Sequence, residues 1–454
     1  MKRPLLIIIT FCLLSFFGSA AQEYTNAPPS NDATPYMVRW MELLYDRVEG
    51  ESRNVPQAAR IYAYAGVAVY ESMRGAFPER PSLSGYLTDM PAMPAAEPGV
   101  EYDWITVMNG TLTALIPELL APVQNFGRLD TTTNFNTAES NATSQAIRSL
   151  AALQLRDRAI SVDRDVLDRS LAYGREIAAV IAAWAAADGF IDMRAMTAAY
   201  VPPVGEGLWI ETTPGQHAME PYWGTLRPFV MPSAEVCHVP LDVPFDTDLD
   251  STFHAQAIEV RDIMEQLTDE QAEIAEFWDE RVGESGTASG HWLYVQNLLA
   301  DYLDLDAETA AQMYAFVGVS MADAFISAWY TKYDYNLLRP ETYIQTYIDP
   351  TFRPLRQAPP FPAYPSGHAV LGGSVSAVLT ALLGPVAYQD RYGVQYGLRA
   401  REYTSFYAAA YENAISRLYG GVHYRVDMEN GLKQGQCVGQ QVVDHLLTPE
   451  MLGE

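Results

Sequence analysis

Residues 369–388 read "AVLGGSVSAVLTALLGPVAY", a run without one charged side chain, and how it is read decides the fold. An apolar stretch of about 20 residues is long enough to cross a bilayer as a helix. This one is interrupted by Gly372, Gly373, Ser374, Ser376 and Thr380, and no second span accompanies it. Small residues let helices approach one another closely, so the run is read as a buried core helix of a soluble protein.

The helical signal extends outward from there. "AETAAQMYAFVGVSMADAFISAWYTKYDY" (307–335), "DEQAEIAEFWDERV" (269–282), "RSLAYGREIAAVIAAWAAADG" (169–189), "VPQAARIYAYAGVAVYESMRGA" (55–76) and "PYMVRWMELLYDRV" (35–48) all place apolar residues at three- and four-residue spacing. No series of alternating, strand-like segments interrupts them. Residues 202–247 differ, being rich in Pro and Gly with Trp209, Tyr222, Trp223 and Phe229 among them. Flexible linkers rarely carry so many large apolar side chains, so a loop packed on the helical body is expected. The predicted fold is all-α: two packed helical bundles with an ordered Pro/Gly/aromatic-rich connector. Its parts are a signal peptide (1–21), an N-terminal helical half (22–201), the connector (202–251) and a C-terminal helical half (252–454).

Lys2 and Arg3, the apolar "PLLIIITFCLLSFF" and the small residues "GSAA" give 1–21 the form of a secretory signal. That predicts a periplasmic or extracellular protein with no membrane span in the mature chain. The formal charge of −27 opposes nucleic acid and anionic membrane as partners. Cys12 falls in the leader, and whether Cys237 and Cys437 pair is left open by sequence. The charge is unevenly spread. From Lys332 to Lys433 there are ten basic residues against eight acidic ones, a basic island that points to a recessed anion site.

Three fragments within that island carry chemistry. In "TKYDYNLLRPETY" (331–343), Lys332 is one of only three lysines in the chain, with Lys2 and Lys433. Lys332 and Arg339 are seven residues apart, which on one helix puts both on one face before Pro340 ends it. In "PSGH" (365–368), Ser366 falls at the N-cap of the apolar helix and Gly367 offers bare backbone to a ligand. A helix N-terminus is itself a place for an anion. In "SRLYGGVHYRVD" (416–427), Arg417 brings a planar fork suited to oxyanions. His423 and Asp427, four apart, share a face if helical, and the carboxylate can orient the imidazole. Singly these are weak signals: Ser-Gly-His is most often a turn, and a lone histidine is most often structural. Jointly they are an inventory for holding one tetrahedral oxyanion, with a nucleophile or ligand on one side and an acid–base on the other.

The joint pattern resembles the signature of the type 2 phosphatidic acid phosphatase and vanadium haloperoxidase superfamily. Its positions are filled by Lys332, Arg339, Pro340, Pro365, Ser366, Gly367, His368, Ser416, Arg417, His423 and Asp427. The resemblance implies that Lys332, Arg339, Ser366, Gly367 and Arg417 bind the oxyanion, with Lys332 touching one of its oxygens. In the haloperoxidase branch the anion is vanadate, and His423 is its protein ligand to the metal. Hydrogen peroxide is activated there, His368 handles protons, and a halide or small organic substrate is oxidised. In the phosphatase branch His423, oriented by Asp427, attacks phosphorus to give a phosphohistidine, and His368 protonates the leaving group.

"PFPAYPSGHA" (360–369) and Trp329 are similar to the haloperoxidase branch, which implies that Trp329 and Phe361 line the substrate pocket. The expected function is therefore that of an exported vanadium-dependent haloperoxidase-like enzyme. A soluble exported acid phosphatase is the alternative. A non-catalytic oxyanion-binding helical protein is a third, opposed by the presence of both His368 and His423. The resemblance also calls for a carboxylate that steadies an arginine, with Asp279 and Asp323 as candidates. His217, His238, His254, His291 and His445 lack metal-ligand spacing and are read as structural. A homo-oligomer is left open.

Overall fold

Helices form where the apolar spacing runs, and several start on a side chain that caps the first turn. In this computed structural model, residues 32–121, 137–212 and 215–452 are described; the expected signal peptide, 1–21, lies outside them. Before the connector come α1 (Thr34–Gly50), α2 (Val55–Met73), α3 (Trp104–Leu119), α4 (Thr137–Arg158), α5 (Arg164–Ala186) and α6 (Phe190–Thr197). After it come α7 (Thr252–Glu265), α8 (Asp269–Phe277), α9 (Thr287–Tyr302), α10 (Ala307–Tyr335) and α11 (Pro340–Tyr347). The chain closes with α12 (Gly367–Leu383), α13 (Phe406–Tyr419), α14 (Arg425–Leu446) and the short α15 (Pro449–Leu452). Asn54, Asp103, Ser251, Asp306 and Ser405 each accept a backbone N–H from the turn they precede, satisfying donors that a helix start leaves over.

The helix α10 is the spine. It packs against α2, α12 and α14, and glycine sets how closely the helices meet. A Cβ on Gly66 of α2 would lie 2.2 Å from the Tyr314 carbonyl oxygen of α10. Between α12 and α14, a Cβ on Gly435 would lie 2.1 Å from the Val370 oxygen. Within the uncharged run, a Cβ on Gly373 would lie 2.7 Å from the Leu432 oxygen of α14, so its small residues serve close packing, as the sequence suggested. No described helix is long and apolar enough to cross a membrane.

Two features depart from expectation. Lys332 and Arg339 do not share a helix: α10 stops at Tyr335, Asn336 turns left-handed at φ 49°, and Arg339 caps α11 with Pro340 as its first residue. Proline suits that position because its missing N–H would have no acceptor there. The second is a small antiparallel ribbon, β1 (Tyr388–Asp390) and β2 (Arg401–Tyr403), with Asp390 opposite Arg401. Three residues per strand are too few for alternation to register in sequence.

The connector is tied down along its length. Leu208 pairs with Leu337 across the α10–α11 link, and the Trp209 N–H donates to the Asn336 oxygen at 2.7 Å. Trp209, Trp223 and Phe229 are buried. The Asp323 carboxylate accepts the backbone N–H groups of Phe229, Val230 and Met231 at 2.7–3.2 Å. Cys237 and Cys437 form a disulfide, Cα atoms 5.6 Å apart, that fastens the connector to α14.

Candidate active site

The basic residues of the three fragments are gathered at the point where α10, the α10–α11 link, the 360–366 loop and the start of α14 meet. Lys332, Arg339 and Arg417 are all buried. The prolines of "PFPAYP" remove N–H groups from the loop while leaving its carbonyls to be satisfied. Lys332 does this: its ammonium donates to the carbonyl oxygens of Pro362, Ala363 and Pro365. In this structure all three of its N–H groups are engaged by the loop. Its charge remains in the pocket, and burial, then the charge of Arg339, pushes its pKa well below the ordinary lysine value against the opposing pull of Asp427.

Arg339 donates from Nε to Phe361 O at 2.9 Å and from Nη1 to Val422 O at 2.8 Å and His423 Nε2 at 3.0 Å. Among the described residues, its Nη2 and the Nε of Arg417 are buried without a hydrogen-bond partner. Arg417 donates from Nη1 to the Trp278 carbonyl at 3.1 Å, with Asp279 Oδ1 4.0 Å away. Phe361 and Trp329 stand over these cations. The Phe361 ring centroid is 4.9 Å from Lys332 Nζ and 5.0 Å from Arg339 Cζ, and that of Trp329 is 5.9 Å from Lys332 Nζ. The indole N–H of Trp329 is held by the Met219 carbonyl of the connector at 3.1 Å.

His423 precedes α14 rather than lying within it, yet the four-residue spacing still brings it to Asp427. Nδ1 is 2.9 Å from Asp427 Oδ2, which also accepts the Tyr424 N–H. Arginine can only donate, so its approach to Nε2 leaves the proton of the imidazole on Nδ1. Burial, then the charges of Arg339, Lys332, Arg417 and His368, push the His423 pKa well down, so the ring is neutral with its Nε2 lone pair turned to the guanidinium. Burial likewise raises the Asp427 carboxyl against Tyr424 N–H, Lys332 and Arg339. The Asp427 carbonyl oxygen takes the Ser366 N–H at 2.9 Å, which couples the third fragment to the second. Ser366 is the N-cap of α12, as expected, and the N–H groups at this helix start have no acceptor within the helix.

His368, on the first turn of α12, has Nε2 3.0 Å from Glu280 Oε2. The other Glu280 oxygen is 2.7 Å from His291 Nδ1, and His291 Nε2 is 2.8 Å from Asp390 Oδ2. His291 lies between the rings of Trp278 and Tyr392, with centroids 4.3 and 3.9 Å away. Sequence reasoning missed this chain of groups and read His291 as merely structural. Of the two carboxylates it did name, Asp279 sits beside Arg417 and is 3.4 Å from Arg356. Asp323 is corrected: it holds the connector backbone and no arginine. Among the described residues, those three N–H groups are its hydrogen-bond partners.

Chemically, the arrangement is a buried cationic pocket with orphaned guanidinium donors, a neutral imidazole on one side and a carboxylate-bound imidazole nearby. Burying that much positive charge is costly unless an anion is received. An oxyanion with several acceptor oxygens fits the donors that Arg339 and Arg417 leave unused.

Comparison with known proteins agrees with this picture. The sequence profile of the VCPO second helical-bundle domain matches residues 312–449, which include all three fragments. A vanadium chloroperoxidase of Curvularia inaequalis is 27% identical over a 169-residue alignment covering 26% of this chain; the match spans only 28% of that protein. Among solved structures, one described as the first bacterial vanadium-dependent iodoperoxidase has a TM-score of 0.81 and 31% identity, covering 92% of this chain and 97% of that one. A holo-type bacterial vanadium-dependent chloroperoxidase has a TM-score of 0.62 at 13% identity, covering 89% and 96%. The last is a likeness of fold alone.

Proposed function

Because this chain belongs to the vanadium-dependent haloperoxidase family, we propose that its pocket holds vanadate and that the enzyme oxidises a halide with hydrogen peroxide. The observation that carries this reading is the pair of buried, partnerless donors on Arg339 and Arg417 beside a neutral His423. Vanadate, when bound, supplies a Lewis acid that polarises peroxide without redox change at the metal. The remaining work falls to the chain. Arg339 and Arg417 donate to the anion's oxygens, the start of α12 adds Ser366 and Gly367, and Lys332 contributes charge while fixing the loop. His423 offers Nε2 as the ligand, and Asp427 keeps the ring's proton on Nδ1. Trp329 and Phe361 exclude water from the cations. His368 takes and returns the peroxide proton at Nδ1, since Glu280 holds Nε2.

The near-full-length relative at 31% identity is described as an iodoperoxidase, so iodide is the halide we propose. The leader-like residues 1–21 and the disulfide together support export, disulfides being rare in reducing compartments. The deciding experiment gives purified, vanadium-free protein peroxide with iodide or bromide, with and without vanadate, beside a phosphatase assay without it. Iodide oxidation that appears only with vanadate is the expected result. A trapped phosphohistidine without vanadate-dependent halide oxidation would instead establish the acid phosphatase.

A further inference from the structure

We propose that Glu280, His291 and Asp390 form a buried carboxylate–imidazolium–carboxylate chain whose task is to position His368 as a proton acceptor. The geometry assigns a partner to each atom in turn. Both oxygens of Glu280 are engaged, one by His368 and one by His291. Both nitrogens of His291 face carboxylates, so both carry protons and the ring is a cation. Asp390 is fixed in turn by the Tyr392 N–H on its second oxygen, at 2.9 Å. His368 is the one member open to the pocket: its side chain is 18% exposed, against 0–1% for Glu280, His291 and Asp390.

This arrangement does more than fill a core. A lone buried carboxylate beside His368 would tend to take its proton, because burial favours the neutral acid. His291 prevents that. Although burial raises Glu280, its bonds to His291 and His368 bring its pKa down to about 2; although burial lowers His291, Asp390 and Glu280 push it up to about 9. The carboxylate therefore stays ionised, Nε2 of His368 stays protonated, and Nδ1 keeps its lone pair. Burial, then the charge of Arg417, lowers the His368 pKa, and Glu280 and Asp279 oppose them. When a proton passes from a peroxide oxygen to Nδ1, one O–H bond breaks, one N–H bond forms, and Glu280 faces the new positive charge. The three residues touch neither halide nor peroxide; they are positioning residues.

The proposal rests on the haloperoxidase reading only for where the proton comes from, and the test separates the two. Full-length protein labelled with ¹⁵N-histidine, with and without vanadate, would report the His368 tautomer, its signal assigned by loss in His368→Asn. The parent should show His368 protonated on Nε2 and His291 on both nitrogens. In Glu280→Gln the His368 preference should become mixed and kcat should fall on the order of 10²-fold. Vanadate affinity by equilibrium dialysis should hold or tighten, since a negative charge near the pocket is gone. Asp390→Asn, remote from the pocket, should remove the second proton from His291 and lower kcat in the same direction but less. An unchanged His368 tautomer in both variants overturns the proposal. So does a parallel fall in vanadate affinity and kcat, the mark of a structural role. If the parent shows no vanadate-dependent oxidation, the reading of function fails while the tautomer comparison still decides the positioning.

Discussion

Lys332 sits where arginine serves almost everywhere else in this chain, and its three loop carbonyls explain the choice. A compact ammonium can turn its three N–H groups toward Pro362, Ala363 and Pro365, whereas a planar guanidinium cannot match that convergence. Lys332→Met should leave those oxygens unsatisfied at about 1–3 kcal/mol each. Urea unfolding should show the loss, and equilibrium dialysis should show weaker vanadate binding as well. Lys332→Arg should recover the charge and only part of the stability. The two site histidines should separate cleanly. His423→Ala should abolish vanadium retained after dialysis, whereas His368→Ala should retain it and lose about 10²–10⁴-fold in turnover. At this scale the motif residues were legible because each stands at a fixed offset within a short fragment. Glu280, His291 and Asp390 were not: His291 lies 11 residues from Glu280 and 99 from Asp390, and their meeting is purely tertiary. The only local hint was position, since Glu280 directly follows Asp279, one of the carboxylates the sequence had put forward.

Between elements, the segment after α8 does the joining. Trp278 gives its carbonyl to Arg417 and its ring to His291, Asp279 flanks Arg417, and Glu280 reaches from α9 to α12. This junction carries a pH signature. The folded-state pKa of His291 is raised from 6.5 to about 9, so its contribution is complete below pH 6.5 and is lost as pH rises through about 9. Glu280 is lowered from 4.5 to about 2, so its contribution is complete above pH 4.5 and is lost as pH falls through about 2. Urea unfolding from pH 6 to 9.5 should therefore show a decline in the parent, on the order of 3 kcal/mol, that His291→Gln largely lacks. Helix contacts make a further test: Gly435→Ala, with its new carbon 2.1 Å from the Val370 oxygen, should destabilise by about 1–3 kcal/mol in the same assay. Periodicity and caps made the helices legible. The break at Asn336 was not, because "KYDYNLLRP" continues a helical pattern until Asn336 turns left-handed and 337 pairs with the connector.

For the molecule as a whole, the acidic composition and the buried cations belong to different places, and the basic island foresaw that division. The connector holds the site from behind, through Met219 against Trp329, Asp323 against 229–231, and the disulfide. Cys437→Ser should cost about 2–4 kcal/mol and should show as a lower melting temperature under oxidising conditions.

The two cysteines also bracket the pocket in the order of synthesis. Cys237 precedes Asp279, Glu280, His291 and every motif residue, and Cys437, 200 residues further on, follows His423 and Asp427. A ribosome delivers the first cysteine long before its partner, so the bond cannot close until His423 and Asp427 have already emerged. A chain halted between 427 and 437 would own every side chain of the pocket and still lack the clasp that joins connector to α14. Closure of the site is thus ordered by the chain itself: the pocket residues come first and the clasp after them.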